Sequence, residues 1–187
     1  MLFRSAAEEV DPDRIRVVDS RTTGMGLGFA VLQAASAAAA GASAPDVEAA
    51  AVTTAARTKT YFMVETLEYL RRGGRIGAAA ALVGTALAVK PVLHVAEGRI
   101  VPLEKVRTTG RALSRLVELS ADAAGDGPVS LAVHHLAAPE RAAELATRLE
   151  ERLPGSTGCL VTELGAVIGA HTGPGVLGVV VLPVVAR

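Results

Sequence analysis

Three arginines and two adjacent glycines lie within the stretch EYLRRGGRIG, residues 68–77. Arg71 and Arg72 fall in the predicted last turn of a helix, where cations favour the helix dipole, and Gly73 can take the left-handed conformation that ends a helix. Arg75 follows the glycines, and a guanidinium binds a carboxylate or a phosphate through two parallel hydrogen bonds. The stretch therefore has two open interpretations: a capped helix with a solvated basic end, or a site for an anion.

Two other glycine-rich stretches carry polar side chains. In VVDSRTTGMGLG, residues 17–28, the G-x-G-x-G spacing differs from the dinucleotide fingerprint and no Walker lysine follows. Asp19 and Ser20 there either shape a turn or supply polar atoms to a crevice at the edge of a sheet. In GAVIGAHTGPG, residues 165–175, His171 and Thr172 are the only polar side chains. An imidazole in that place binds an anion, shuttles a proton or caps a turn.

Metal binding and nucleophilic catalysis are not indicated. The adjacent pair His134 and His135 ends a predicted strand, so the two rings should point to opposite faces, and no zinc-type spacing of ligands is present. Cys159 lies in an apolar run without a neighbouring base, and no G-x-S-x-G motif occurs. These residues therefore indicate no metal site and no nucleophile, and no catalytic residue or cofactor is expected.

Composition limits the class of protein. Half of the 187 residues are hydrophobic, enough for one core or two small ones. Acidic and basic residues number 19 each, so no net charge attracts the molecule to nucleic acid or to an anionic membrane. The longest apolar runs fall short of the roughly 20 residues that a membrane-spanning helix needs. A single cysteine is typical of a reducing compartment, which predicts a cytoplasmic location.

The order of the elements predicts an α/β protein. β-Branched runs bounded by turn residues predict strands, which are RIRVVD, TYFMVE, VKPVLHV, RIVPLEKVR, PVSLAVHHL, GCLVTEL and GVLGVVVLPV. Alanine-rich stretches with helical spacing of apolar residues separate most of them. VKPVLHV and RIVPLEKVR flank a short AEG turn and should form an antiparallel hairpin, which makes the sheet mixed. A division near Thr58 would give domains of residues 1–57 and 58–187.

Four blocks, read in order, resemble the DegV family of bacterial fatty-acid-binding proteins. They are VVDSRTTGMGLG, YFMVETLEYLRRGGRI, LVGTALAVKPVLHVAEGRIVPLEKVRT and GAVIGAHTGPGVLGV. The resemblance implies part of an N-terminal DegV α/β domain over residues 1–57 and a C-terminal α/β domain over residues 58–187. It also implies a lipid carrier subunit that binds a long-chain fatty acid and presents it to a fatty acid kinase, which makes the acyl phosphate for phospholipid synthesis.

The resemblance also implies roles for particular residues. The carboxylate of the fatty acid is expected at Arg75, His171, Thr172 and Ser20, because a buried carboxylate needs hydrogen-bond donors. The apolar tunnel for the tail is expected to be lined by Ala79, Leu82, Val83 and Leu87. The surface that meets the kinase is expected to include Arg71, Arg72, Lys105 and Arg107.

Two features depart from the family pattern. A T-S-Q-P-like loop and an S-G-T helix start are absent from the sequence, so we expect a fragment or a chain that begins at an internal start. Gly24 stands where many relatives carry a serine before M-G-L-G, which removes one hydroxyl. Two alternative functions stay open: a small enzyme acting on a phosphorylated metabolite, and an inactive fragment that lacks part of the carboxylate site.

Overall fold

The structure, a computed structural model, describes residues 2–82 and 89–184. Its six strands form one sheet in the order β3-β2-β1-β6-β4-β5. The strands are β1 (Lys59–Met63), β2 (Lys90–Ala96), β3 (Arg99–Val106), β4 (Val129–His135), β5 (Ser156–Glu163) and β6 (Leu177–Pro183). Strands β4 and β5 are parallel and every other neighbouring pair is antiparallel. The predicted α/β fold with a mixed sheet is confirmed.

Seven α-helices and one 3₁₀ helix, Gly77–Leu82, accompany the sheet in the described part of the chain. The helices are α1 (Leu2–Val10), α2 (Met25–Ala39), α3 (Ala44–Arg57), α4 (Glu68–Arg72), α5 (Thr109–Ala124), α6 (Pro139–Arg152) and α7 (Ala166–Thr172). Local sequence sets several of their ends. The Ser43 hydroxyl, for example, accepts the Asp46 N–H at the start of α3, and the Thr108 hydroxyl accepts the Arg111 N–H at the start of α5.

Alternating side chains on the strands divide the core between the two faces of the sheet. Met63 belongs to the large cluster that packs against α5 and α6. Its neighbour Phe62 faces the other way and packs with Leu70 of α4 and Ala79 of the 3₁₀ helix. On that second face, Phe29 of α2 packs on β4 and β6. The short helices α4 and α7 therefore share one face of the sheet with α2.

The hairpin of β2 and β3 was predicted correctly. Glu97 and Gly98 connect the strands with φ angles of 49° and 73°. Two consecutive left-handed residues are typical of the type I′ turn, whose twist matches that of the strands it joins.

One predicted strand was wrong. Residues 14–19, RIRVVD, form neither helix nor strand, and Ile15 is exposed. A strand requires a neighbour to complete its hydrogen bonds, and no strand of the described chain pairs with this segment. Within residues 2–82 and 89–184, every strand lies at or beyond Lys59, which follows α3. The division into domains 1–57 and 58–187 stays a prediction.

Candidate anion site

The turn after α4 positions the glycine pair. The Arg75 N–H donates to the Leu70 carbonyl at 2.8 Å and the Gly74 N–H donates to the Arg71 carbonyl at 3.1 Å. These two bonds form a Schellman motif, and Gly74, with φ of 66°, is its left-handed residue. The prediction that Gly73 takes this conformation was wrong, because Gly73 has φ of −76° and ψ of −2°. The motif turns the chain sharply just before Arg75.

Glu68 compensates the charges of the first two arginines of this stretch. Its carboxylate accepts hydrogen bonds from Arg71 at 2.7 and 2.8 Å and from Arg72 at 2.7 Å. The bonds from Arg71 and Arg72, in that order, lower the pKa of Glu68 to about 2. All three side chains lie at the surface, so the ion pairs are screened by solvent. Arg71 and Arg72 are therefore occupied by a carboxylate of their own helix.

Arg75 differs from these two arginines. Its guanidinium is exposed and donates to the Gly73 carbonyl at 3.3 Å. No carboxylate within residues 2–82 and 89–184 forms an ion pair with it. Arg75 thus presents a fixed positive charge that is not neutralised by the described part of its own chain.

Helix α7 brings His171 to the same turn. The imidazole lies so close to Gly73 that a Cβ atom there would be 2.0 Å from its Nδ1 atom. Since the Arg75 guanidinium donates to the Gly73 carbonyl, Gly73 contacts two of the four predicted head-group residues, Arg75 and His171. The structure therefore brings Arg75 and His171 to one turn, although the sequence separates them widely.

The other two predicted head-group residues are placed differently. Thr172 is buried and its hydroxyl donates to the Ile168 carbonyl at 3.1 Å, so its proton is used within α7. Ser20 donates to the Thr22 carbonyl at 3.3 Å. The hydrogen bonds of Ser20 in the described structure are with Thr22, and neither Arg75 nor His171 is among its partners.

Ser20 instead lines an apolar groove between α2 and α3. The groove has a volume of about 380 Å³, and Ser20 is the only polar residue of its lining. Leu27 and Val31 of α2 line it and are exposed. The sequence analysis missed this groove, although the alanine-rich pattern of α2 and α3 carries few large side chains that could fill it.

The predicted tunnel and partner residues are partly described. Ala79 is fully buried in the cluster around Leu70 and Phe62, and Leu82 ends the 3₁₀ helix. Val83 and Leu87 lie outside the described residues. Lys105 is near the end of β3 and Arg107 follows that strand, and both side chains are exposed.

The sequence analysis also missed a hydrogen-bonded role for His134. Its Nε2 atom accepts the Met25 N–H at 2.8 Å, so Nδ1 carries the proton and donates to the Thr162 hydroxyl at 2.8 Å. A Cβ atom on Gly24 would lie 2.8 Å from Nε2. The ring therefore occupies the space where a side chain at position 24 would project, which gives a physical reason for glycine there.

Acid should weaken this link between α2 and the sheet. Burial lowers the pKa of His134, the charge of His135 adds to this, and the Thr162 bond opposes it. The folded-state pKa is then below the unfolded value of about 6.5, so the unfolded state binds more protons between the two. We expect the free energy of unfolding to fall as the pH decreases from about 6.5 through the folded-state pKa.

Urea unfolding between about pH 8 and 5 tests this expectation. His134→Gln keeps an acceptor for the Met25 N–H but does not titrate, so its unfolding free energy should depend less on pH. His94, whose pKa is also lowered by burial, remains and leaves a smaller slope of the same sign. An equal slope in both proteins would show that His134 does not carry the effect.

Glu65 forms a second polar contact that the sequence did not reveal. Its carboxylate binds Lys90 at the start of β2 and Arg141 in α6, the latter at 2.8 Å. Burial alone would raise the pKa of Glu65, but the hydrogen bonds from Lys90 and Arg141 outweigh it and the pKa is lowered. The pair of cations links the segment before α4 to strand β2 and to helix α6.

Other kinds of site find little support in the described residues. No group of three or more histidine, cysteine, aspartate or glutamate side chains within residues 2–82 and 89–184 could hold a metal ion. The rings of His134 and His135 do point to opposite faces, toward Met25 and Ala138 respectively.

Burial, with the nearby Glu150 charge, raises the pKa of Cys159 to about 11, so the thiol stays protonated at neutral pH. None of the helices in the described segments is both long and apolar enough to cross a bilayer.

The fold and this turn define an α/β protein in which a histidine and an arginine without an ion pair in the described residues meet at one turn. The profile of the DegV family, described as an uncharacterised protein family, matches residues 3–184. The chain therefore belongs to the DegV family, as its four sequence blocks predicted.

Similar proteins agree with this assignment. The DegV domain-containing protein SCO2569 of Streptomyces coelicolor is 59% identical over 176 residues, which are 94% of this chain and 62% of that protein. The crystal structure of the DegV family protein Cg2579 from Corynebacterium glutamicum matches with a TM-score of 0.90 and 33% identity, covering 98% of this chain and 70% of that one. The structure of a DegV family protein from Thermus thermophilus matches with a TM-score of 0.89 and 34% identity, covering 97% of this chain and 65% of that one. That structure is described as one of fatty acid binding. The chain spans less than two thirds of SCO2569.

Proposed function

We propose that this chain binds a long-chain fatty acid. The carboxylate is held at the turn after α4, where Arg75 and His171 both contact Gly73. The observation that carries the proposal is the meeting of both side chains at Gly73, together with the absence of an ion-pairing carboxylate for Arg75 in the described residues. An ionised carboxylate needs a cation and hydrogen-bond donors when it leaves water. The fatty acid binding of the Thermus thermophilus relative supports the choice of ligand.

The head-group residues are proposed to have different roles in binding the carboxylate. Arg75 supplies charge and His171 supplies a ring nitrogen. Thr172 offers only the lone pairs of its oxygen, because its proton is donated to Ile168. Ser20 is proposed to reach the carboxylate from the glycine-rich segment before α2. Ala79 and Leu82 are proposed to lie along the tail.

The proposal extends to a carrier role without catalysis. In this role the chain presents the acid to a fatty acid kinase in the cytoplasm, and the exposed Lys105 and Arg107 at the end of β3 would meet the kinase. Arg71 and Arg72 would contribute less long-range attraction, since Glu68 already neutralises part of their charge.

Lipid analysis of the purified chain tests the proposal. The chain, expressed in bacteria and purified without detergent, is extracted with organic solvent and the extract is analysed by mass spectrometry. We expect a long-chain fatty acid in the wild-type extract and a reduced amount from a variant that carries both Arg75→Ala and His171→Ala. A wild-type extract without fatty acid, combined with turnover of a phosphoester by the chain, would favour the enzyme hypothesis instead.

A further inference from the structure

We propose that Gly73 and Gly173 are positioning residues, which hold the His171 imidazole in the orientation that the fatty acid carboxylate requires. The inference rests on the proposed function, because it assumes that His171 meets the head group. It explains why the His171 imidazole lies where it does. It also identifies which of the two ring nitrogens donates a hydrogen bond to the ligand.

Helices α4 and α7 contact each other through two reciprocal pairs of a ring and a glycine. His171 of α7 lies on Gly73, which follows α4, and Tyr69 of α4 lies on Gly173, which follows α7. A Cβ atom on Gly73 would be 2.0 Å from Nδ1 and 2.8 Å from Cε1 of His171. A Cβ atom on Gly173 would be 2.3 Å from Cδ2 and 2.5 Å from Cε2 of Tyr69. Each ring thus occupies the space that a side chain at the facing glycine would need.

The backbone alone does not require glycine at position 73. With φ of −76° and ψ of −2°, Gly73 has a right-handed conformation that any residue can adopt. The neighbouring Gly74 has φ of 66°, and no atom lies within 4 Å of the place where its Cβ would be. Gly74 therefore serves the turn, whereas Gly73 serves the imidazole.

The contact also decides which ring nitrogen donates. The Nδ1 atom of His171 is buried and has no hydrogen-bond partner in the described structure. A proton on Nδ1 would leave a buried N–H without an acceptor, which is rarer in proteins than an unsatisfied acceptor. The other nitrogen, Nε2, is not among the buried atoms that lack a partner. In the neutral ring the proton therefore belongs on Nε2, which is the nitrogen left to donate to the ligand.

The second pair, Tyr69 and Gly173, sets how closely α4 and α7 approach each other. Gly173 has φ of 76°, and its N–H donates to the Gly169 carbonyl at 2.8 Å, so it ends α7 immediately after Thr172, two residues beyond His171. Tyr69 lies on this residue, and the absence of a side chain there lets the end of α7 approach α4 this closely. A larger residue at position 173 would separate the helices and carry the imidazole away from Gly73.

The test is Gly73→Ala in the full chain, with Gly165→Ala as its matched control. Alanine fits the backbone at position 73, so the variant changes the contact with the imidazole and leaves the turn intact. Gly165 begins α7 and has open space around its would-be Cβ. Ring nitrogen shifts from ¹⁵N NMR report the tautomer and surroundings of His171 without any ligand. Competition with a fluorescent fatty acid reports the affinity for palmitate.

We expect the wild type and Gly165→Ala to share one set of His171 ring shifts, with the proton on Nε2, and one palmitate affinity. Gly73→Ala should change the ring shifts and weaken palmitate binding about tenfold, the effect of one strong hydrogen bond. In a His171→Ala background, Gly73→Ala should cause no further loss, because the imidazole that it displaces is gone. This coupling between the two sites distinguishes positioning from a general loss of stability.

Two results would overturn the inference. One is a set of His171 ring shifts that Gly73→Ala leaves unchanged, whether or not palmitate binds. The other is an equal loss of palmitate affinity from Gly73→Ala with and without His171. A wild-type chain that binds no palmitate, but shows the expected change in ring shifts, would contradict the proposed function while the contact between Gly73 and the imidazole stands.

Discussion

Replacing Arg75 by alanine is expected to weaken palmitate binding about tenfold or more. The Arg75 guanidinium has no carboxylate partner in the described residues, so a bound carboxylate would gain its full attraction. A hydrogen bond to a charged group contributes about 1.5–3 kcal/mol, and each 1.4 kcal/mol corresponds to about a tenfold change in affinity. Competition binding at constant ionic strength measures the change.

Arg72→Ala is the matched control for this prediction. It removes the same charge from a position three residues away, but Arg72 donates to Glu68 and lies before the turn. We expect its palmitate affinity to remain within about twofold of the wild type, since exposed ion pairs contribute little. Equal, small effects from both variants would show that the stretch is a capped helix with a solvated basic end and no anion site.

Leu70→Ala is expected to lower the free energy of unfolding by about 3 kcal/mol. Leu70 is fully buried in the cluster with Phe62 and Ala79, and truncation would leave a cavity there. Its carbonyl also accepts the Arg75 N–H at 2.8 Å, so Leu70 anchors the turn that positions the guanidinium. Urea unfolding measures the loss, and palmitate binding should weaken with it.

Val167→Ala provides the comparison for Leu70→Ala. Val167 lies on α7 and its side chain is 79% exposed, so its truncation should change the unfolding free energy by no more than about 0.5 kcal/mol. If the two variants had similar unfolding free energies, α4 would not be packed on the sheet as described. The orientation of Arg75 would then lose its structural basis.

The sheet was predictable from the sequence because its signals are local. The hairpin of β2 and β3 follows from two β-branched runs around Glu97 and Gly98. The opposite orientation of His134 and His135 follows from the two-residue period of a strand. The segment at residues 14–19 has the same kind of local signal, yet it forms no strand. Pairing with a neighbour decides that outcome, and residue types alone do not report the neighbour.

The contacts within the site were not predictable from local patterns. Both glycines at 73 and 74 have the same local signature, but Gly74 takes the left-handed conformation, and Gly73 is close to a ring that lies far away in the sequence. Gly24 is explained in the same way by His134. A glycine required by the backbone can be predicted from a turn pattern, whereas one required by a neighbouring side chain needs the tertiary structure.

Carbon-13 NMR of carboxyl-labelled palmitate bound to the chain tests the central claim most directly. A cation beside a carboxylate favours its charged form and lowers its pKa below the ordinary value of about 4.3 for a side-chain carboxyl. We predict a distinct bound carboxyl resonance that keeps its ionised position from about pH 7 to about pH 4.5, and that titrates at higher pH in Arg75→Ala. The absence of a bound resonance, or identical titration of the resonance in the wild type and in Arg75→Ala, would contradict the assignment of the carboxylate to Arg75.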